Sequence, residues 1–446
     1  MGILLSNLRQ LMSTIPQEKV LDNSLRLLLE GFPFIQNRVE RFQSNIFKTR
    51  IMFQNVICLH GEEAAKVFYD PDKFMRYQAI PNRIQRTLMG KDAIQTMDGE
   101  VHLHRKAMFM SLMNPDSLHK LNRLMTEQWQ AYIKRWEQMD EVVLFEESQD
   151  LLCRVACAWT GVPLKEKEVR LRAQDFAAMV DAFGAVGPRH MRGRKARKRA
   201  EKWIGKIIKD IRKGKLGFTE GSPAHVVAFH RDLEDNLLDV HMAAVELINL
   251  LRPIVAIAWY ITFGAVALQE HPVARRKIAE GEEGYVEMFV QEVRRYYPFG
   301  PFLGNRVKND FDWGGHHFKK GTLVFLDIYG TLHDPNIWKH PDEFYPYRFR
   351  DWDGSPYNFI PQGGGDHFTG HRCAGEWVTI ETMKVSMVFL SKYMDYDVPP
   401  QDLSFSLVRM PTYPNSKFIM RNVKGTHPQV EANLNSLSKC PFHHSA

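Results

Sequence analysis

Gly363-Gly364-Gly365-Asp366-His367-Phe368-Thr369-Gly370-His371-Arg372-Cys373-Ala374-Gly375-Glu376 is the stretch that decides how this chain is read. Taken alone, a cysteine is most often a small buried hydrophobe. The neighbours of Cys373 argue otherwise. Glycines ahead of it, Gly364 among them, give a backbone flexible enough to present sulfur to a metal, with N–H groups free to point at it. His371, Arg372 and the N-terminus of the following helix are expected to surround the sulfur with positive charge and keep it a thiolate. Gly375 is expected to let that helix approach closely. An odd total of five cysteines, without a C-x-x-C pair, argues against a secreted disulfide framework. Cys153 and Cys157, four apart in an apolar run, read as buried thiols on one helix face.

Two further motifs stand upstream, Glu292-Val293-Arg294-Arg295 and Phe344-Tyr345-Pro346-Tyr347-Arg348-Phe349. Glu292 and Arg295 share a helix face and can form a charge-assisted network with Arg348. Together the three resemble the signatures of the cytochrome P450 family: Gly-x-His-x-Cys-x-Gly, Glu-x-x-Arg and Phe-x-Pro-x-Arg-Phe, in family order. The resemblance extends from about residue 20 to 424. It implies a mainly α fold with small β sheets, and a haem b held between the long central helix and the cysteine-loop helix. Cys373 would be its axial ligand, a thiolate whose electron donation favours O–O bond cleavage. Glu292, Arg295 and Arg348 would lock the haem-binding core. Arg76, His102 and Lys106 match propionate-binding positions, beside His371, Gly364 and Gly375 of the loop itself.

Composition agrees with a globular protein. At 44% hydrophobic and 25% charged, 446 residues can bury a large core without disulfide or metal staples. Residues 1–19 read as an N-terminal extension, 20–424 as one domain and 425–446 as a polar tail, which includes Cys440. No signal-peptide pattern is present and the longest apolar run, Ile254 to Leu268, is too short to span a membrane, so a cytoplasmic protein with no transmembrane segment is expected. Helical patterning is expected at 20–35, 99–137 (interrupted near Asn114-Pro115), 144–160, 166–184, 195–213, 236–270 and 374–394. A strand is expected from Ile51 to Leu59, entering a helix at Gly61, with short strands between Asp310 and Leu326. Residues 189–215 carry thirteen Lys or Arg, with Trp203, Ile204, Ile207, Ile208 and Ile211 at helical spacing. That predicts an amphipathic helix whose basic outer face is solvated, not a nucleic-acid or membrane surface, since no aromatic residues interleave the charges.

Within the central helix, Leu250-Leu251-Arg252-Pro253-Ile254-Val255-Ala256-Ile257 replaces the acid-alcohol pair with which most of the family relays protons to oxygen. Proline inside a helix costs about 3 kcal/mol. An arginine leading into an apolar run needs an anionic partner, and no acid lies within one turn, Glu246 being six residues back. A substrate carboxylate could serve through bidentate hydrogen bonds. The Arg-Pro pair, Pro361-Gln362-Gly363-Gly364-Gly365-Asp366 and Arg294-Arg295-Tyr296-Tyr297-Pro298-Phe299 are similar to the bacterial fatty-acid peroxygenase branch.

That resemblance implies hydroxylation of long-chain fatty acids at the α and/or β carbon by hydrogen peroxide, with no obligatory redox partner. The substrate carboxylate, held by Arg252, would be the acid–base group, with Pro253 and Gln95 beside it. Leu88, Met89, Val180, Phe183 and Phe299 would line the pocket, Met89 departing from a phenylalanine common in the branch. Decarboxylating members, which form terminal alkenes, tend to carry histidine in the segment matching Ala93 to Gly99. Gln95 stands there instead, an amide that cannot act as imidazole does. A redox-partner-dependent monooxygenase would need the proton relay that Arg252-Pro253 replaces.

Overall fold

The computed structural model describes residues 15–215 and 219–426. The polar tail with Cys440 and most of the N-terminal extension lie outside the described residues. The chain already belongs to the fold at Ile15, which is buried. Gln17 bridges to Lys48, and Glu18 is enclosed against Arg38 and Thr49.

The helices that build the site are α1 (Gly99–Ser111), α2 (Pro115–Trp136), α3 (Leu144–Thr160), α4 (Val169–Asp181), α5 (Pro188–Arg212), α6 (Val240–Glu270), α7 (Tyr285–Tyr296) and α8 (Glu376–Val388). Local sequence sets most of their limits. Asn114 caps α2, its side chain accepting from the Ser117 N–H, with Pro115 at the first helical position. Asp239 caps α6 by accepting from the His241 and Met242 N–H groups. α6 is apolar nearly all round, so it must be buried on every side. It is long and apolar enough to cross a membrane, yet 89% of its most apolar window lies inside the protein. There it packs against α3, α4, α5 and α8 as the axis of the main core, and Cys153 and Cys157 are buried on α3 beside it.

A second, smaller layer is a five-stranded sheet in the order β1-β2-β5-β4-β3, from Ile46–Ile51 (β1), Gln54–Leu59 (β2), Phe74–Met75 (β3), Phe302–Val307 (β4) and Leu323–Asp327 (β5). All pairs are antiparallel except β2 with β5, where Val56 faces Leu323 and Leu59 faces Leu326. Helix Glu62–Phe68 follows Gly61 directly.

Three segments differ from the periodicity. The strand expected from Ile51 is the second arm of a hairpin that turns at Met52 and Phe53, both at positive φ. The 20–35 stretch is α-helical only over Ser24–Glu30, with a 3-10 turn at Phe32–Phe34, because Gly31 adopts φ +69° where its backbone meets the Leu407 carbonyl. α5 starts seven residues before the expected 195, its charged first turns having hidden a Gly187-Pro188 start signal.

Candidate active site

Cys373 closes the glycine loop just ahead of α8. Its N–H donates to the Gln362 carbonyl at 3.1 Å, and the Gly375 N–H is directed at its sulfur. Gly364 is required by packing: a Cβ there would lie 2.5 Å from the Pro356 carbonyl and 2.9 Å from the Tyr69 ring. Gly375 is not, since beyond its own chain neighbours a Cβ would meet no atom of the described residues within 4 Å. The close approach expected there is therefore not made by another protein element.

The charge around the sulfur also differs from expectation. Burial brings the His371 ring down to about 4, so it is neutral near pH 7. The Arg372 Nε turns to Glu376 at 2.6 Å. The cations that act most strongly on Cys373 are Lys106 and Arg294. Burial still wins, helped by the Glu376 charge, and raises the thiol; ligation to a metal is what would hold it deprotonated. Burial also works to raise Glu376, but Arg294 and Arg372 outweigh it and hold that carboxyl at about 2.

On the rim, His102 and His371 stack with ring centroids 3.9 Å apart. Burial first, then His371 and Lys106, push His102 down to about 3. The buried Lys106 ammonium donates to the Arg372 carbonyl at 2.5 Å, and burial lowers it to about 8 against the pull of Cys373. Arg76 is enclosed and donates to the Gly304 carbonyl at 3.0 Å; its Nε has no hydrogen-bond partner, and among the described residues no carboxylate reaches ion-pair distance of it. Asp98 ties this group together, accepting from the Arg76 and Tyr77 N–H groups and standing 3.6 Å from His371.

Across from the loop, α6 carries Arg252, buried and within electrostatic reach of Cys373. Its Nη1 donates to the Leu88 carbonyl and to Asn249 Oδ1 at 3.0 Å. No carboxylate among the described residues pairs with it. Glu246 is committed to Arg105 at 2.7 Å, and Asn249 stands between Glu246 and Arg252, donating to Glu246 at 3.1 Å. Burial, then the charge of Arg197, pushes the Arg252 guanidinium down to about 9. Pro253 leaves the Asn249 carbonyl without its helical donor, half-buried one residue beyond Arg252.

Leu88 and Met89 sit half-buried on the turn that offers Arg252 its carbonyl. Gln95 is half-buried, its Oε1 enclosed and without a partner, next to Ile94, whose N–H donates to Glu246. Phe299 stacks on Tyr260 of α6 at 5.1 Å. Val180 is packed into the main core, and Phe183 lies half-buried just past α4.

Sequence reasoning missed Arg197, Asn249 and Tyr260. Arg197 is not part of the solvated face of α5 but buried, its Nη1 donating to the same Leu88 carbonyl at 3.0 Å and its Nε to Glu201 at 2.6 Å. The small residues Gly193, Ala196 and Ala200 share its helix face and could have signalled an inward position. Asn249 is one turn before Arg252, a legible spacing. Tyr260 has a buried hydroxyl with no partner, and only the fold brings it near Cys373.

Below the loop, Glu292 accepts from Arg295 Nε and Nη2 at 2.8 Å each, from Arg348 Nε at 3.0 Å and from the Tyr345 N–H at 2.9 Å, wholly enclosed. A flat, anionic-edged group bound through sulfur fits these surroundings: the directed Gly375 N–H, open space beside that glycine, and an enclosed guanidinium at the rim. Fold and loop thus define a haem-thiolate protein.

The cytochrome P450 family model matches residues 284–406. Among solved structures, a variant of cytochrome P450 OleT in complex with arachidonic acid is 39% identical, with a TM-score of 0.91 over 94% of this chain and 100% of that one. Cytochrome P450EX alpha (CYP152N1) with myristic acid is 45% identical, TM-score 0.90, over 93% and 100%. A putative cytochrome P450 120 of Synechocystis sp. is 24% identical over 88% of this chain and 92% of its own. The chain belongs to the cytochrome P450 family and groups with its CYP152 structures. It is an oxidoreductase whose cofactor is haem b ligated by a cysteine thiolate.

Proposed function

We propose that this protein is a peroxygenase that hydroxylates long-chain fatty acids at the α and/or β carbon with hydrogen peroxide. The observation that carries this reading is Arg252: a buried arginine on the central helix, within electrostatic reach of Cys373, with which no carboxylate among the described residues pairs. Lowered to about 9, the guanidinium is still a cation near pH 7, and a buried cation without an ion-pair partner is a receptor for an external carboxylate. The fatty acids held by the OleT and P450EX alpha structures support the same substrate class.

In this reading Cys373 would hold the haem through its thiolate, and Arg76, His102, Lys106 and His371 would hold its propionates. Haem bound through a thiolate supplies O–O bond cleavage. Asn249 and the Leu88 carbonyl fix the guanidinium plane, so Arg252 presents a fixed fork to the substrate carboxylate. That carboxylate replaces the acid missing from the helix and carries the peroxide proton. One peroxide oxygen ends in the hydroxy acid and the other in water, so no external electron source or redox partner is needed. Gln95 offers an amide and no acid–base group, which favours hydroxylation over decarboxylation. Leu88, Met89, Phe183 and Phe299 shape the channel. A cytoplasmic location belongs to the same proposal.

The test is incubation of the holoenzyme with a long-chain fatty acid and hydrogen peroxide alone, with products identified by mass spectrometry. Hydroxy acids are expected. Turnover that appears only when a reductase and an electron donor are added would overturn the peroxide reading, and a predominance of terminal alkenes would overturn the hydroxylase one.

A further inference from the structure

The positive charge of this chain is concentrated in one place. Residues 189–215 hold thirteen Lys or Arg against Glu201 and Asp210, a net of +11, whereas the whole chain carries +7; everything else is therefore net −4. The fold sorts these cations. Arg197 is buried, Arg189 and Arg192 engage Asp181, Arg199 engages Asp175, and Arg212 caps the Ala228 and Leu238 carbonyls. Lys206 pairs with Asp210.

Seven remain: Lys213 and Lys215 just past α5, and on α5 itself Arg194, Lys195, Lys198, Lys202 and Lys209, all exposed, with no carboxylate at ion-pair distance among the described residues. Spacings of three, four and seven put the last five on one outward stripe of α5, about 22 Å long at the helical rise, and the acid at its border, Glu201, is taken by Arg197. Arg194 with Lys198, and Lys198 with Lys202, are like-charge pairs four apart, which destabilise a helix that has no partner for them. At the N-terminal end of the stripe Val186 and Met191 are 53% and 58% exposed, and Met191 with Pro188, Arg192, Lys195 and Arg199 lines a shallow surface notch of about 300 Å³.

We propose that the outer face of α5 docks the protein on an anionic lipid bilayer, with its cations against headgroup phosphates and Val186 and Met191 at the boundary of the acyl layer. The charge pattern alone reads as a solvated face; the exposed Val186 and Met191 beside it change that reading, because charge complementarity selects an anionic surface and the apolar pair selects lipid. Single-stranded nucleic acid would call for stacking groups among the cations, and duplex DNA would leave the exposed apolar pair unused. The nearest aromatic, Trp203, is instead turned to Arg172 and Phe176. The proposal does not depend on which substrate the active site takes.

Flotation of the holoenzyme with vesicles tests it. Vesicles of phosphatidylcholine with about one third phosphatidylglycerol should carry the protein up at about 0.1 M salt and release it at about 1 M, while phosphatidylcholine alone should not. Charge reversal at Lys195→Glu, Lys198→Glu and Lys202→Glu should cut partitioning by at least about tenfold while leaving the haem spectrum intact. Should that variant fold poorly, the milder pair Lys198→Gln and Lys202→Gln should still weaken binding several-fold. Met191→Ser should weaken it without changing its salt dependence. Equal binding to both vesicle types, or none to either, overturns the proposal, as does unchanged binding by correctly folded charge variants. So does duplex DNA that displaces the vesicles at equal charge concentration.

Discussion

Replacing Arg252 with glutamine should pull activity and stability in opposite directions. In the fold this guanidinium is buried and repelled by Arg197, which brings it down to about 9, and no carboxylate among the described residues pairs with it. A cation so depressed is a net cost to the folded state, on the order of a few kcal/mol. Glutamine keeps one donor for the Leu88 carbonyl, which also retains Arg197 at 3.0 Å, and leaves Asn249 Oδ1 at most one bond short, about 1 kcal/mol. The substrate-free holoenzyme of Arg252→Gln should therefore melt about 2–5 °C above the parent. Its activity should collapse. Two charge-assisted bonds to a substrate carboxylate contribute about 3–6 kcal/mol, so kcat/KM for a long-chain fatty acid should fall roughly a hundred- to ten-thousand-fold. A carboxylate-free analogue of equal chain length, such as the alcohol, should lose little. Peroxide-driven turnover of both substrates, with scanning calorimetry of both proteins, checks each arm. Activity within threefold of the parent, or an equal loss on the alcohol, would refute the carboxylate anchor; a lower melting temperature would make Arg252 a structural cation.

Arg197→Gln should loosen the turn that presents Leu88, raising KM for the fatty acid roughly three- to tenfold with a smaller effect on kcat, read by steady-state kinetics. Glu292→Leu strands Arg295 and Arg348 without their shared acceptor and should cost about 3–5 kcal/mol, seen as loss of haem-loaded protein on purification. His60, enclosed between Asp327 at 3.0 Å and Asp334 at 3.3 Å, is raised to about 9, since their bonds outweigh its burial. Its folded value lies above the unfolded one, so the stability it contributes, on the order of 3 kcal/mol, is complete below pH 6.5 and lost as pH rises to 9; in His60→Gln, denaturant titrations across that window should lose this slope. Gln95→His puts an imidazole where only an amide stood and should raise the terminal-alkene fraction of the products, measured by gas chromatography.

The cysteine loop, the Glu292–Arg295 pair and the central helix were legible because their information is local. Glycine density, a spacing of three on one helix and an all-apolar run each act within a few residues, and α3 came out at its expected limits, 144–160. Arg348 could be joined to Glu292 only because it sits in a third recognisable motif. What the sequence could not decide were burial and pairing between distant segments. Arg252 meets the Leu88 carbonyl 164 residues away, and Lys106 meets the Arg372 carbonyl across 266. Periodicity put Arg197 on a charged helix, but the close approach of Gly90 and Val245 encloses it. The loop residues His371 and Arg372 looked like the cations of the thiolate; burial by the rest of the fold neutralises His371, whereas Arg372 turns to Glu376 only four residues on, a local pairing the spacing already allowed. Local composition therefore determined that a cysteine is offered to haem. Only the packing of α5, α6 and the Leu88 turn decided that the opposite wall holds an unpaired positive charge, because desolvation and ion pairing depend on everything that surrounds a group and not on its neighbours in the chain.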